Sequence, residues 1–218
     1  MDFQWGAAID ALPTILNGLR LTMLIAIVGI ALGFVLGVLA GVARCSTHRV
    51  PYAIASIYIS IIRGTPLMVQ AMYLYFAIPI MLNFNLPATP AGIIAIGLNS
   101  GAYIAEIVRG AIQSVDVGQT EAGICLGLSK FQVSRGIVFP QAFRIMLPSL
   151  GNQFVISVKD TSILTVIGVA EMTHQAARAV SSTFRTVEIY TMLAVLYYVL
   201  CSLLSFVLHI IERKVHNG

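Results

Sequence analysis

The sequence predicts an all-α membrane protein of five transmembrane helices. Three observations predict it: composition, the length of the uncharged runs, and a one-sided distribution of basic residues. Of 218 residues, 58% are hydrophobic and only 10% charged, with a mean hydropathy of +0.89. Soluble domains carry about 25% charged residues, so this chain has too little polar surface to face water all round. The net charge of +4 comes from basic residues scattered singly between apolar runs. Nothing resembles the basic stripe of a nucleic-acid-binding surface. Cys45, Cys125 and Cys201 are odd in number and far apart; their spacing fits no metal site, and they read as buried or cytosolic thiols. The first twenty residues hold Asp2 and Asp10 and no Lys or Arg before Arg20, which lacks the positive start of a secretory signal.

A bilayer core of about 30 Å needs roughly 20 apolar residues per helix. Residues 21–43 are one uncharged run of that kind, with Gly29, Gly33, Gly37 and Gly41 repeating every fourth position. Such a ridge permits close helix packing. The second span is 67–82; it follows the break Arg63-Gly64-Thr65-Pro66, and 52–62 forms the lower part of the same broken helix. The third is 91–108, interrupted by Glu106; the fourth is 145–169, carrying Lys159 and Asp160; the fifth is 188–211. Arg44, Arg49, Lys130, Arg135, Arg144, Arg213 and Lys214 fall on one side of these spans, and Arg20, Arg178 and Arg185 on the other. Excess positive charge marks the cytoplasmic side, so the N-terminus is expected outside and the C-terminus inside. The external segment 171–186, rich in Ala and Ser, is expected to form a short helix, and His174 and His209 to lie at the interface.

The cytoplasmic segment 110–144 is long and polar. Glu121 suits a helix N-terminus, where the dipole favours an anion. Ala122 adds helix propensity, Gly127 suits a C-terminal position of positive φ, and Pro140 is expected to stop a helix. The pattern reads as a short helix, a turn and re-entry into the membrane. By physics alone it is either a docking surface for a cytosolic partner or a plain connection.

The same segment resembles importer permeases of the ATP-binding-cassette class. Their cytoplasmic motif is Glu-Ala-Ala, three residues, Gly, nine residues, Ile, one residue, Leu-Pro. This chain has Glu121-Ala122-Gly123, Gly127, Ile137 and Phe139-Pro140 at that spacing, departing only at Gly123 and Phe139. Arg63-Gly64-Thr65-Pro66-Leu67, the segment 99–112 and Lys159-Asp160-Thr161-Ser162 are similar to the polar amino acid branch of the class, and within it to glutamine permeases. The resemblance implies a type I importer permease fold filling residues 1–218 as one domain in the bacterial inner membrane. It implies a pair of permease chains, here a homodimer surrounded by membrane lipid. Cytosolic ATPase subunits would dock on a loop at about 113–142, and a periplasmic binding protein would deliver the amino acid. This chain would bind no cofactor and no nucleotide, and would be no enzyme, ATP being used by the partner. The absence of a Gly-rich phosphate loop ending in Lys-Ser or Lys-Thr agrees.

Two rival functions are open to a chain of this composition. A secondary transporter driven by an ion gradient would show inverted repeats, and no convincing repeat is present. A membrane enzyme would need a nucleophile or metal motif such as His-Glu-x-x-His or Gly-x-Ser-x-Gly, and neither occurs.

Ionisable residues at membrane depth cost roughly 2.5 to 3.5 kcal/mol each and usually face a cavity or a partner. Arg63, Glu106, Lys159 and Asp160 are the candidates. Asn99, Tyr103 and Glu106, at i, i+4 and i+7, share a helix face. That face suits a zwitterion, with Glu106 for the α-ammonium and Lys159 or Arg63 for the α-carboxylate. Alternatively Glu106 pairs with Arg109 on its own helix. Lys159 and Asp160 point about 100° apart, so each needs another partner, while Thr161 and Ser162 can bond back to the backbone. These four serve either the pathway or interhelical pairing. For coupling to an ATPase, Glu121, Ala122, Gly123, Leu126, Gly127, Leu128 and Pro140 are expected to matter, with Glu121 capping the helix and Ile124, Leu126 and Leu128 filling a partner's groove.

Overall fold

A computed structural model describes residues 4–216, which are helical with short connections and contain no strand. Helix α1, Trp5–Arg44, starts well before the apolar run and continues through Pro13 and Arg20. Helix α2 is Arg49–Gly64, and α3, Leu67–Met72, leads through a π-helical turn, Tyr73–Ala77, into α4, Ile78–Leu82. Then come α5, Ala88–Gln113; α6, Val117–Cys125; and α7, Lys130–Val133. A second π-turn, Ser134–Val138, joins α7 to α8, Phe139–Asp160. A 3₁₀ segment, Thr161–Ile167, precedes α9, Met172–Thr183, and α10, Thr186–His216.

Helices α1, α5 and α10 are each long and apolar enough to cross a membrane. Two bent pairs raise the number to five if each pair is one span: α2 with α3–α4, bent by 105°, and the α7–3₁₀ stretch with α9, bent by 48°. The expected lower part of the second span therefore turns away by more than a right angle.

The glycine ridge binds α1 to α5. Gly29, Gly33, Gly37 and Gly41 are all buried. A Cβ on Gly37 would stand 2.6 Å from the Ile104 side chain and 2.8 Å from the Gly101 carbonyl oxygen. One on Gly33 would overlap Ser100 and reach within 2.9 Å of the Gly97 carbonyl oxygen. The small residues of α5 reciprocate, so the two backbones approach closely.

Two prolines that sequence rules expect to end helices do not. Pro79 and Pro140 each stand two residues after a π-turn, where the amide of Ile78 bonds the Tyr73 carbonyl and that of Phe139 the Ser134 carbonyl. The wider turn shifts the hydrogen-bond register where proline lacks its donor and would clash with the preceding turn. Helical backbone consequently runs from Lys130 through Pro140 to Asp160, correcting the expectation of a stop at Pro140.

Helix α9 is anchored by a residue that the sequence did not single out. Glu171 is fully buried. Its carboxylate accepts from the backbone N–H of Thr173 at 2.8 Å and of His174 at 2.7 Å, capping α9, and from the Tyr197 hydroxyl at 3.0 Å. Gly18 leaves room for it: a Cβ there would sit 2.6 Å from the Glu171 carbonyl carbon.

Candidate functional site

The site is built around the end of α2. Thr65 and Pro66 are extended, with ψ of 144° and 138°, because the residue before a proline is pushed out of the helical region. The carbonyls freed at the break are taken by two side chains: the Thr65 hydroxyl donates to the Ile61 oxygen at 2.9 Å, and Nε2 of Gln70 donates to the Ile62 oxygen at 2.7 Å and the Thr65 oxygen at 3.0 Å. Oε1 of Gln70 in turn accepts from Nδ2 of Asn99 on α5 at 3.3 Å.

Beside this break opens a cavity of about 590 Å³, lined by Arg63, Gly64, Thr65, Pro66, Leu67, Asn99, Tyr103, Gln153, Ile156 and Asp160. The Arg63 guanidinium lies over the Tyr103 ring, 5.2 Å from its centre. One cation, one carboxylate, two side-chain amides and a phenol thus share one chamber. That set can hold a small molecule carrying both charges while its amides pair with further polar groups.

Of the residues singled out in the sequence, Arg63, Asn99, Tyr103 and Asp160 line this cavity, and four do not. Glu106 is absent from the lining although it lies one helical turn from Tyr103. Its Oε2 accepts from Nη2 of Arg109 at 2.7 Å and from Nε at 3.1 Å. Arg63 approaches the same oxygen at 3.9 Å, and Arg44 approaches Oε1 at 3.7 Å. The expected pairing with Arg109 is present, widened to arginines from three helices. Lys159 is exposed and does not line the cavity. Thr161 is buried and bonds back to the Val158 carbonyl, and Ser162 to that of Lys159, as their residue types led one to expect. Gln70 and Gln153 were missed; the available signal was an amide inside each apolar run, alone at Gln70 and next to Asn152 at Gln153.

The segment 110–144 also forms its expected short helix, α6, but differently capped. The N-cap is Asp116, whose carboxylate accepts from the Gly118 N–H at 2.7 Å. Glu121 lies within the helix, exposed, and does not cap it as expected. At the other end Gly127 has φ of +81°. Leu128 N–H bonds the Gly123 carbonyl and Gly127 N–H that of Ile124, the paired closure of a helix ending on a left-handed residue. Gly123 is buried against Val133 and Ile137, and Ala122 is exposed. Ile124, Leu126 and Leu128 are exposed, Leu126 by 81%, with Phe131 beside them in sequence at 71%. These side chains form an exposed apolar surface on and just after a short helix, of the kind that suits a protein–protein contact.

Residues 33–217 match the family described as binding-protein-dependent transport system inner membrane component. The chain belongs to this family. As a binding-protein-dependent inner membrane component it is 44% identical over 215 residues to the glutamine transport system permease protein GlnP of Escherichia coli strain K12, covering 98% of both chains. It is 35% identical over 218 residues to the arginine transport system permease protein ArtQ of Bacillus subtilis, covering both completely. Among solved structures, an amino acid ABC transporter crystallised with histidines aligns at a TM-score of 0.92 and 36% identity, over 98% of this chain and 100% of that one. A chain of the inward-facing MetNI methionine ABC transporter, at 19% identity and a TM-score of 0.79 over 93% and 96%, shares the fold. The type I importer permease fold and an inner membrane location follow.

Proposed function

We propose that this chain is the permease subunit of an ATP-driven importer of a polar amino acid, with glutamine the first cargo to test. The observation that carries the cargo class is that Arg63 and Asp160 both line one cavity. An α-amino acid is a zwitterion, and a fixed cation and a fixed anion match it without net charge. Arg63 receives the α-carboxylate and Asp160 the α-ammonium, while Asn99 and Gln153 offer amides to the side chain. This moves the ammonium partner from Glu106, whose carboxylate is occupied by arginines, to Asp160. The names of the similar permeases, which carry glutamine or arginine, support an amino acid cargo.

In this reading two copies of the chain form the pathway, each crossing the membrane five times with the N-terminus outside. A cytosolic ATPase docks on α6 through Ile124, Leu126 and Leu128. A periplasmic binding protein delivers cargo to the outer face. The ATPase uses ATP, and its motion reaches the cavity through the helical backbone that runs from α7 at Lys130 through the π-turn and α8 to Asp160.

Reconstitution in proteoliposomes with the ATPase and binding protein tests this. Uptake of labelled glutamine should require ATP inside and persist when ion gradients are collapsed; dependence on a gradient would favour the secondary transporter. Asp160→Asn and Arg63→Gln should each cut uptake while the complex still assembles. Unchanged uptake in both would remove the cavity from the pathway. Cysteine placed at Ser129 should label only from the cytoplasmic side.

A further inference from the structure

A second cleft, of about 390 Å³, opens on the outer surface of the bundle between α1, α5, α8 and α10. Its walls are apolar, formed by residues such as Ile30, Phe34, Leu147, Phe154 and Leu208, and Glu212 is the one charged side chain in the lining. The carboxylate lies against the backbone of α8, in space left by Gly151: a Cβ there would meet Oε1 at 3.0 Å. Among the described residues its recorded ion-pair partner is His209 at 3.6 Å, a ring that is 58% exposed and charged only when protonated. A partly exposed carboxylate in the lining of an apolar cleft can receive the cationic group of an amphiphile.

Position on α10 indicates where that group comes from. Residues 189–211 contain no Asp, Glu, Lys or Arg, and the run closes on Glu212-Arg213-Lys214. Glu212 therefore marks the membrane–water boundary on the side assigned to the cytoplasm, with Arg213 and Lys214 exposed beside it. An apolar slot with one carboxylate in its lining, and two cations adjacent to it in sequence, complements an amphiphile with a tail, an ammonium and a phosphate.

We infer that this cleft binds a phospholipid of the cytoplasmic leaflet whose headgroup ends in a primary ammonium, as in phosphatidylethanolamine. The acyl chain fills the slot along Phe34 and Phe154, the ammonium donates to Glu212, and the phosphate meets Arg213 or Lys214. A trimethylated headgroup has the same charge but no N–H to donate, and an anionic headgroup without an ammonium meets the carboxylate unfavourably. The inference rests on the membrane-embedded reading of the chain.

The test uses the complete permease–ATPase complex in vesicles, with Trp5→Phe removing the native tryptophan and Phe34→Trp as the reporter. Quenching by phosphatidylethanolamine brominated on its acyl chains is compared with quenching by brominated phosphatidylcholine and phosphatidylglycerol. A control reporter replaces Val35, which is 57% exposed and outside the cleft. The expected result is a preference for phosphatidylethanolamine of about threefold to fivefold at Phe34, the ratio one net hydrogen bond to a partly exposed carboxylate supplies. The preference should be absent at Val35 and lost in Glu212→Gln. Equal quenching by all three lipids at Phe34 overturns the site while leaving the membrane reading intact. Quenching at Val35 but by no lipid at Phe34 also overturns it, because the cleft is then covered by protein. No quenching at either position overturns the membrane reading as well.

Discussion

The side-chain amides of Gln70 and Asn99 meet at 3.3 Å, tying α3 to α5 at the point where α2 ends. The contact passes the position of α5 to the backbone of the break, because the same Gln70 amide holds the carbonyls of Ile62 and Thr65. The cavity wall is thus set by one chain of hydrogen bonds rather than by the loop alone.

Replacing Gln70 by Leu keeps the volume and removes the cap. The carbonyls of Ile62 and Thr65 then lose their side-chain donor, at a cost of about 1–3 kcal/mol. A lower thermal midpoint of the purified complex and reduced glutamine uptake are expected. An unchanged midpoint would mean that water replaces the cap at no cost.

Glu106→Gln removes the one carboxylate shared by Arg44, Arg63 and Arg109. The groups are partly exposed, so the cost is set at about 1–2 kcal/mol rather than that of a fully buried pair. Uptake should fall while the ATPase still co-purifies. Because Glu106 lies outside the cavity lining, the maximal rate should fall more than the half-saturation concentration shifts. A change confined to half-saturation would return Glu106 to direct contact with cargo.

Gly33→Ala places a methyl group against Ser100 and the backbone of α5. Overpacking of this kind costs typically 1–3 kcal/mol, and the backbone atoms cannot yield as a side-chain tip can. The yield of folded, membrane-inserted permease should drop. Gly6→Ala, where no heavy atom stands within 4 Å of the added group, should leave the yield unchanged. Equal yields in the two variants would show that α1 and α5 separate without penalty.

At Gly127 the backbone lies in the left-handed region, which costs a non-glycine residue roughly 1 kcal/mol or more. Gly127→Val should loosen the end of α6, abolish uptake and weaken co-purification of the ATPase, leaving the permease inserted. Gly127→Asn, a residue that tolerates this conformation, should restore most of both. Full ATPase binding and uptake in the Val variant would disprove the coupling role of this loop.

What the sequence by itself determined is what neighbouring residues impose on one another. The apolar runs set where α1, α5 and α10 lie, the four-residue glycine spacing marked the packed face of α1, Thr65-Pro66 ended α2, and Gly127 ended α6. Each follows from local sterics or from hydrophobicity summed along a few turns. Tertiary structure decided which faces meet. Tyr103 lines the cavity and Glu106, three residues on, does not: Arg109 of its own helix holds the carboxylate, and arginines from α1 and α2 approach it only in the packed structure. Helical backbone passes Pro140 because a π-turn moves the hydrogen-bond register, a choice that local propensity does not register. Glu171 became a buried cap because Gly18 and Tyr197, both distant in sequence, give it room and a donor. At Glu106 and Glu171 the added partners lie far along the chain, and only the packed helices bring their charge or volume to bear.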